Sequence, residues 1–235
     1  MTEILPLKGI DAPNNGARGC GLLVAFCGID GSGKTELSRR VVLKMEDVGI
    51  CSTRFVSFSG NESKYWQTVM DSKRMMSASD DPIPPEIDQS LHLFEFLTYA
   101  QNTLPKLLTE VPIVIAERYA LGRAALIRWD TGIKGSWPEK TLLKAVESGR
   151  IIRPDLTILL DVTVEEATRR LIKRGPPFEE KEKPEHLKTV KENLLDLANC
   201  TEYGQKGVEI VDTTNHPAEE LATMITQRII NFRQK

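Results

Sequence analysis

Residues 22–35 read Leu22-Leu23-Val24-Ala25-Phe26-Cys27-Gly28-Ile29-Asp30-Gly31-Ser32-Gly33-Lys34-Thr35, and this stretch decides the fold. The first six residues form a short, nearly continuous apolar run bounded by glycines, the pattern of a strand buried on both faces. The next eight match G-x-x-x-x-G-K-[ST] in full, and the periodic stretch from Thr35 to Val48 predicts a helix directly after them. Glycines remove Cβ atoms, so successive backbone N–H groups can turn inward around phosphate oxygens, while the helix N-terminus adds its positive dipole end. Lys34 can then reach the β- and γ-phosphates, and the Thr35 hydroxyl can ligate Mg²⁺. The expected nucleotide cradle is therefore Gly28, Ile29, Asp30, Gly31, Ser32, Gly33, Lys34 and Thr35.

Working outward, the runs Ile113-Val114-Ile115-Ala116, Leu156-Thr157-Ile158-Leu159-Leu160 and Val208-Glu209-Ile210-Val211 predict further strands, with Thr53-Arg54-Phe55-Val56-Ser57 a weaker one. Helical patterns lie between them at Ser90 to Leu108, Val164 to Arg174 and Ala218 to Phe232. Pro105 is expected to kink or end the first of these. The last carries Leu221, Ile225, Ile229 and Phe232 on one face, with Pro217 suited to its first turn. Strands alternating with helices imply βαβ units and a three-layer α/β domain with a parallel sheet covered on both sides. Residues 1–21 read as a flexible leader and 22–235 as one domain, with two excursions, Ser77 to Glu86 and Gly175 to Pro184, placed to cover a ligand.

Composition narrows the function classes. Of 235 residues, 40% are hydrophobic and 27% charged, ordinary for a folded domain, and 31 Lys+Arg against 33 Asp+Glu leave a net charge of -2. No global basic field draws the chain onto nucleic acid or anionic lipid, so a polyanion site must be local. Cys20, Cys27, Cys51 and Cys200 form no C-x-x-C pair, and His92, His186 and His216 are far apart, which argues against zinc and suits idle thiols in a reducing cytoplasm. The leader has no long apolar run and reads as neither signal peptide nor membrane anchor.

The chain lacks Asn-Lys-x-Asp, the guanine reader of GTPases, and the Leu-Ser-Gly-Gly signature of ABC-type ATPases. Its single phosphate loop points to a kinase of small molecules. Glu117-Arg118-Tyr119 follows a predicted strand, at the carboxyl edge where open α/β sheets hold ligands. There Glu117 can hold Mg²⁺ or accept a proton, and the Arg118 fork can grip an acceptor phosphate. Arg170 and Arg174 share a helix face leading into the second excursion, a lid at about 174–184 whose arginines can neutralise charge on the transferred phosphoryl group.

These motifs resemble the thymidylate kinases of the P-loop nucleoside monophosphate kinase group. The resemblance is carried by Val24 to Thr35, by Glu117-Arg118-Tyr119 where that family has Asp-Arg-Tyr, by Arg153-Pro154-Asp155-Leu156-Thr157-Ile158-Leu159-Leu160-Asp161-Val162 with the following helix and Lys173-Arg174-Gly175, and by Val208 to Asp212. It implies a five-stranded parallel sheet, ATP and Mg²⁺, and commonly a homodimer. It also implies phosphate and metal roles for Lys34 and Thr35, an acceptor-sugar or metal role for Asp30, and acceptor-phosphate binding by Arg118. Some members carry a basic residue inside the phosphate loop. Here Gly31 and Ser32 occupy that place, so the charge is expected from Arg170, Arg174 or a lid lysine.

The acceptor side departs from the family pattern. Phe58-Ser59-Gly60-Asn61-Glu62 replaces Arg-Glu-Pro-Gly-Gly, Thr98 falls where the base-contacting arginine stands, and Gly122-Arg123 and Leu126 replace a Ser or Asn and a sugar-sensing Tyr. Phe94, Phe96 and Tyr99 remain for stacking, and Arg123 adds charge for a more anionic acceptor. Thymidine monophosphate is accordingly expected to be a poor acceptor. Two alternatives stand beside the monophosphate kinase. One is a deoxyribonucleoside-type kinase acting on a hydroxyl, with Asp30 or Glu117 as base, and the other is a nucleotide-sensing module without turnover.

Overall fold

The computed structural model describes residues 21–50, 52–58, 65–77, 82–176, 180–199 and 207–233. Its centre is a five-stranded, all-parallel sheet in the order β2-β3-β1-β4-β5. The strands are β1 (Leu22–Gly28), β2 (Thr53–Ser57), β3 (Ile113–Glu117), β4 (Leu156–Asp161) and β5 (Val208–Asp212). The apolar runs recognised in sequence are these strands. Because successive side chains point to opposite faces, each run feeds two cores. Val24, Phe26, Ile113, Ile115, Ile158 and Leu160 pack with α1 (Lys34–Asp47) and α8 (Ala218–Arg233). Leu23, Ala25, Cys27, Val114, Ala116 and Leu159 pack against the other layer.

That second layer holds α3 (Pro85–Glu110), α4 (Ala120–Thr131), α5 (Trp137–Glu147) and α7 (Pro184–Ala198), with α2 (Trp66–Met76) beside α3 and α6 (Val164–Arg174) leading to the lid. Helices α2, α4, α5 and α7 come in addition to those expected from the sequence. The signal in α7 was legible, since Leu187, Val190, Leu194 and Leu197 recur at helical spacing behind Pro184 in the first turn. In α4 it was not, because Ala120, Leu121, Ala124, Ala125, Ile127 and even Arg128 are all buried, which erases any polar face.

Pro105 neither ends nor breaks α3, which runs 26 residues through it. Losing one helical hydrogen bond and accommodating the ring costs about 3 kcal/mol. Leu104 and Leu108 beside it are 0% and 1% exposed, and burying two leucines contributes about 3–6 kcal/mol, enough to hold the helix across the proline. The helix also begins at Pro85, five residues before the expected Ser90, so the first excursion is shorter than foreseen. At the C-terminus, Leu221, Ile225 and Ile229 are buried as expected, whereas Phe232 is 37% exposed.

Among the described residues no helix is long and apolar enough to cross a membrane. Cys27 is buried, and burial pushes its thiol up to about 11. Cys20, Cys51, Cys200, the Ser59-to-Glu62 segment and, except for Gly21, the expected leader lie outside the described residues.

Candidate active site

β1 lies between β3 and β4, so the crevice beyond its carboxyl end is where an open α/β sheet collects ligands. The phosphate loop leaves β1 there with Gly28 and turns into α1 at Lys34. Two of its glycines have no substitute. A Cβ on Gly28 would stand 2.6 Å from Ser32 Oγ and 2.7 Å from the Leu160 carbonyl. One on Gly31, where φ is 82°, would stand 2.6 Å from the Ala167 carbonyl of α6.

Lys34 is 5% exposed, with Nζ donating to the Ile29 carbonyl at 2.7 Å and lying 3.4 Å from an Asp30 oxygen. Burial pulls its ammonium down to about 8, with the nearby Arg118 charge adding to the effect and Asp30 and Glu117 opposing it. The Thr35 hydroxyl donates to Glu117 Oε1 at 2.8 Å. The Thr35 hydroxyl of α1 and the Glu117 carboxylate at the end of β3 meet at that point, both oxygen ligands of the kind Mg²⁺ requires. Thr35 and Glu117 therefore fit a magnesium ion.

Glu117 ends β3 beside Phe26 of β1 and Ser57 of β2. Arg118 follows with φ of 58°, a left-handed backbone carried by no other non-glycine among the described residues. Its N–H donates to the Phe26 carbonyl at 3.1 Å, and its guanidinium is ion-paired with Asp30. Burial alone would raise the Asp30 carboxyl, but the Arg118 and Lys34 charges, joined by Lys181 of the lid, hold it well below the usual carboxylate range. Lys181, in the segment where a lid was expected, is thus a cation whose charge reaches Asp30 of the phosphate loop, a proximity that only the fold creates.

The other expected residues divide. Arg174 donates to Glu182 at 2.9 Å across the lid, between the end of α6 and a short 3-10 turn at Glu180–Glu182. Arg170 gives its donors to Glu166 and to the Gly31, Thr213 and Thr214 carbonyls. Where acceptor stacking was expected, a ring cluster forms from Phe58, Phe96, Tyr99 and Tyr119, with centroids 5.2–5.5 Å apart, and Phe58, Phe96 and Tyr119 are buried in the core, so Phe96 is not open to stack on a ligand. Phe94, expected to stack there, is instead 58% exposed, because α3 turns Leu93 and Phe96 inward. The Thr98 hydroxyl donates to the Phe94 carbonyl of its own helix at 2.7 Å, so its proton is already used.

Arg123 lies with its guanidinium carbon 5.9 Å from the Phe96 ring centroid, and its Nε is buried without a hydrogen-bond partner. Burial pulls it down to about 10, opposed by the buried Glu95 and reinforced by Arg118. Leu126 lines a cavity of about 20 Å³ with Cys27, Gly28, Lys34, Arg118 and Gly122, beside the transfer site rather than the rings.

The family model described as thymidylate kinase matches residues 26–225. A probable thymidylate kinase of Methanosarcina mazei is 27% identical over 219 residues, covering 92% of this chain and 98% of its own. A probable thymidylate kinase of Methanocorpusculum labreanum is 32% identical, covering 74% and 82%, and a thymidylate kinase of Xylella fastidiosa strain M12 is 29% identical, covering 76% of each. A match that spans the phosphate loop, the Glu117-Arg118 pair, α6, α7 and the first half of α8 places this chain in the thymidylate kinase family.

Proposed function

We propose that the chain transfers the γ-phosphoryl group of ATP to a nucleoside monophosphate other than thymidine monophosphate, with residues 22–235 acting as one domain. The observation that carries the reading is the Asp30–Arg118 ion pair beside Lys34, which stands an arginine at the mouth of the phosphate loop. Arg118 exchanges Asp30 for the acceptor phosphate, a bidentate partner for its fork. An acceptor oxygen attacks the γ-phosphorus, its new P–O bond forming as the bond to the departing ADP oxygen breaks. That oxygen is already ionised near neutral pH, so alignment and charge neutralisation suffice. Lys34 holds the β- and γ-phosphates, while Arg174 and Lys181 bring charge from the lid. Thr35 and Glu117 would hold Mg²⁺, which would supply charge neutralisation for the transferring phosphoryl group.

A hydroxyl acceptor is the weaker reading because it needs a base. Asp30 is engaged by Arg118 and Lys34 and is a poor proton acceptor, and Glu117 is engaged by Thr35. Rejection of thymidine monophosphate rests on Thr98, whose proton serves its own helix, and on Leu126. A buried base atom left without its partner costs about 1–3 kcal/mol. A cytoplasmic location and a homodimer belong to the same proposal, the latter checked by mass in solution.

ADP release measured with ribo- and deoxyribonucleoside monophosphates, free nucleosides and phosphorylated sugars tests it. A monophosphate other than that of thymidine should give the highest kcat/KM. Thymidine monophosphate leading by a wide margin would overturn the specificity. Turnover with free nucleosides alone would overturn the phosphate acceptor, and no acceptor-dependent turnover would favour a nucleotide sensor.

A further inference from the structure

We infer that Arg170 is a positioning residue which, with Thr213, clamps the back of the phosphate loop to the segment after β5 and thereby sets ATP affinity rather than the rate of transfer. Its activity readout rests on the kinase reading above, but its geometry does not. A guanidinium has five N–H donors and no acceptor. Here Nε donates to Glu166 at 2.8 Å. Nη1 lies 3.3 Å from the Gly31 carbonyl and 3.5 Å from the Thr213 hydroxyl, and Nη2 reaches the Thr213 and Thr214 carbonyls at 2.6 and 3.2 Å. Service to a transferring phosphoryl group would require these contacts to be given up, so the transition-state role expected for Arg170 from sequence is replaced by a structural one.

Thr213 completes the clamp. It is 2% exposed, its N–H donates to the Asp161 carbonyl at 2.7 Å, and its one hydroxyl proton is shared between the Asp161 and Ser32 carbonyls at 3.1 and 3.2 Å. A loop that turns its N–H groups inward toward phosphate must turn carbonyls outward, and a buried carbonyl without a donor is unfavourable. Arg170 and Thr213 meet two consecutive outward carbonyls, those of Gly31 and Ser32. The close approach of Gly31 to the Ala167 carbonyl keeps α6, and with it Arg170, against the loop. Hydrogen bonds from Arg169 and Arg170 hold the Glu166 carboxyl down at about 2, so the anchor stays ionised through any assay range.

The experiment compares Arg170→Ala, Arg170→Lys, Thr213→Val and the double variant Arg170→Ala/Thr213→Val with the full chain. In Arg170→Ala the KM for ATP should rise roughly tenfold while kcat stays within about threefold, since the groups at the γ-phosphate are intact. Arg170→Lys should recover part of the affinity, because an ammonium can serve some of the carbonyls but not the planar fork. The double variant should be little worse than Arg170→Ala, as expected for members of one network. Amide exchange at Gly31 to Lys34 in the nucleotide-free protein should quicken in Arg170→Ala. A hundredfold fall in kcat with unchanged KM, or unchanged kinetics and exchange, would overturn the inference. Should Arg170→Ala not fold, Thr213→Val carries the test, and an unchanged KM there overturns it. Absence of turnover in the unmodified chain would refute the kinase reading alone, because the exchange measurement still decides the clamp.

Discussion

Lys34 shows how a residue's surroundings set the pH at which a kinase site works. Its ammonium is pulled down to about 8 by burial and by Arg118, while ATP binding needs the charged form. The charged form prevails below that value and is lost above it. In the free enzyme, kcat/KM for ATP should therefore fall above about pH 8, approaching tenfold per pH unit. Lys34→Arg, if it retains turnover, should abolish this alkaline limb, because a guanidinium stays charged. A profile of the unmodified chain that is flat to pH 10 would contradict the assignment. Arg118 illustrates the complementary strategy of storing strain at a functional residue. Its left-handed backbone costs about 1–2 kcal/mol for a side chain with a Cβ, tolerated because the Phe26 carbonyl and Asp30 hold both ends.

At the scale of elements, the long helix α3 buries Phe96 in the core, with Tyr99 packed beside it in the ring cluster, while carrying a proline in its interior. The defect is tolerated through tertiary packing, so repairing it should show as stability. Pro105→Ala restores a helical donor and removes a ring clash, partly offset by a more flexible unfolded chain, and should stabilise the protein by about 1–2 kcal/mol. Chemical denaturation at constant slope checks this, and a destabilised variant would mean that the proline ring is itself a packing element. The start of α6 is by contrast locally encoded. The Thr163 hydroxyl accepts from the Glu166 N–H at 3.3 Å, and acids fill the first turn while bases fill the last.

Across the whole molecule, α4, α5 and α7 are tied by one buried cation. Arg128 donates to Glu139 at 2.7 Å and to Asp196 at 2.6 Å, and Glu139 also accepts from the Gly135 N–H at 2.7 Å. The Arg128 and Glu139 side chains are 7% and 5% exposed. Removing the carboxylate takes away the more buried of the two acids that face this guanidinium, Asp196 being half-exposed, so Glu139→Ala should lose about 3 kcal/mol and lower the unfolding midpoint by roughly 10 °C. Calorimetry beside kinetics at low temperature is the check. Stability should fall with kcat unchanged, and a loss of kcat in a folded variant would show that the brace also shapes the acceptor site.

Sequence alone determined the parts of this protein whose physics is local. The strand runs, the phosphate loop and the amphipathic α1, α6 and α8 each announce themselves within one short window, because period-two and period-3.6 burial and glycine geometry act between near neighbours. The likeness to thymidylate kinases follows from the same windows. Only tertiary structure decided how residues far apart in the chain share their charges and donors. Asp30 meets Arg118 across 88 positions, Thr35 meets Glu117 across 82, and Arg170 reaches the Gly31 carbonyl across 139. Phe94 faced outward for the same reason, since neighbouring α3 residues filled the inner surface. An arginine in a basic helix end can serve a phosphate or a backbone carbonyl equally well, and the acceptors brought to it by the folded sheet select between them.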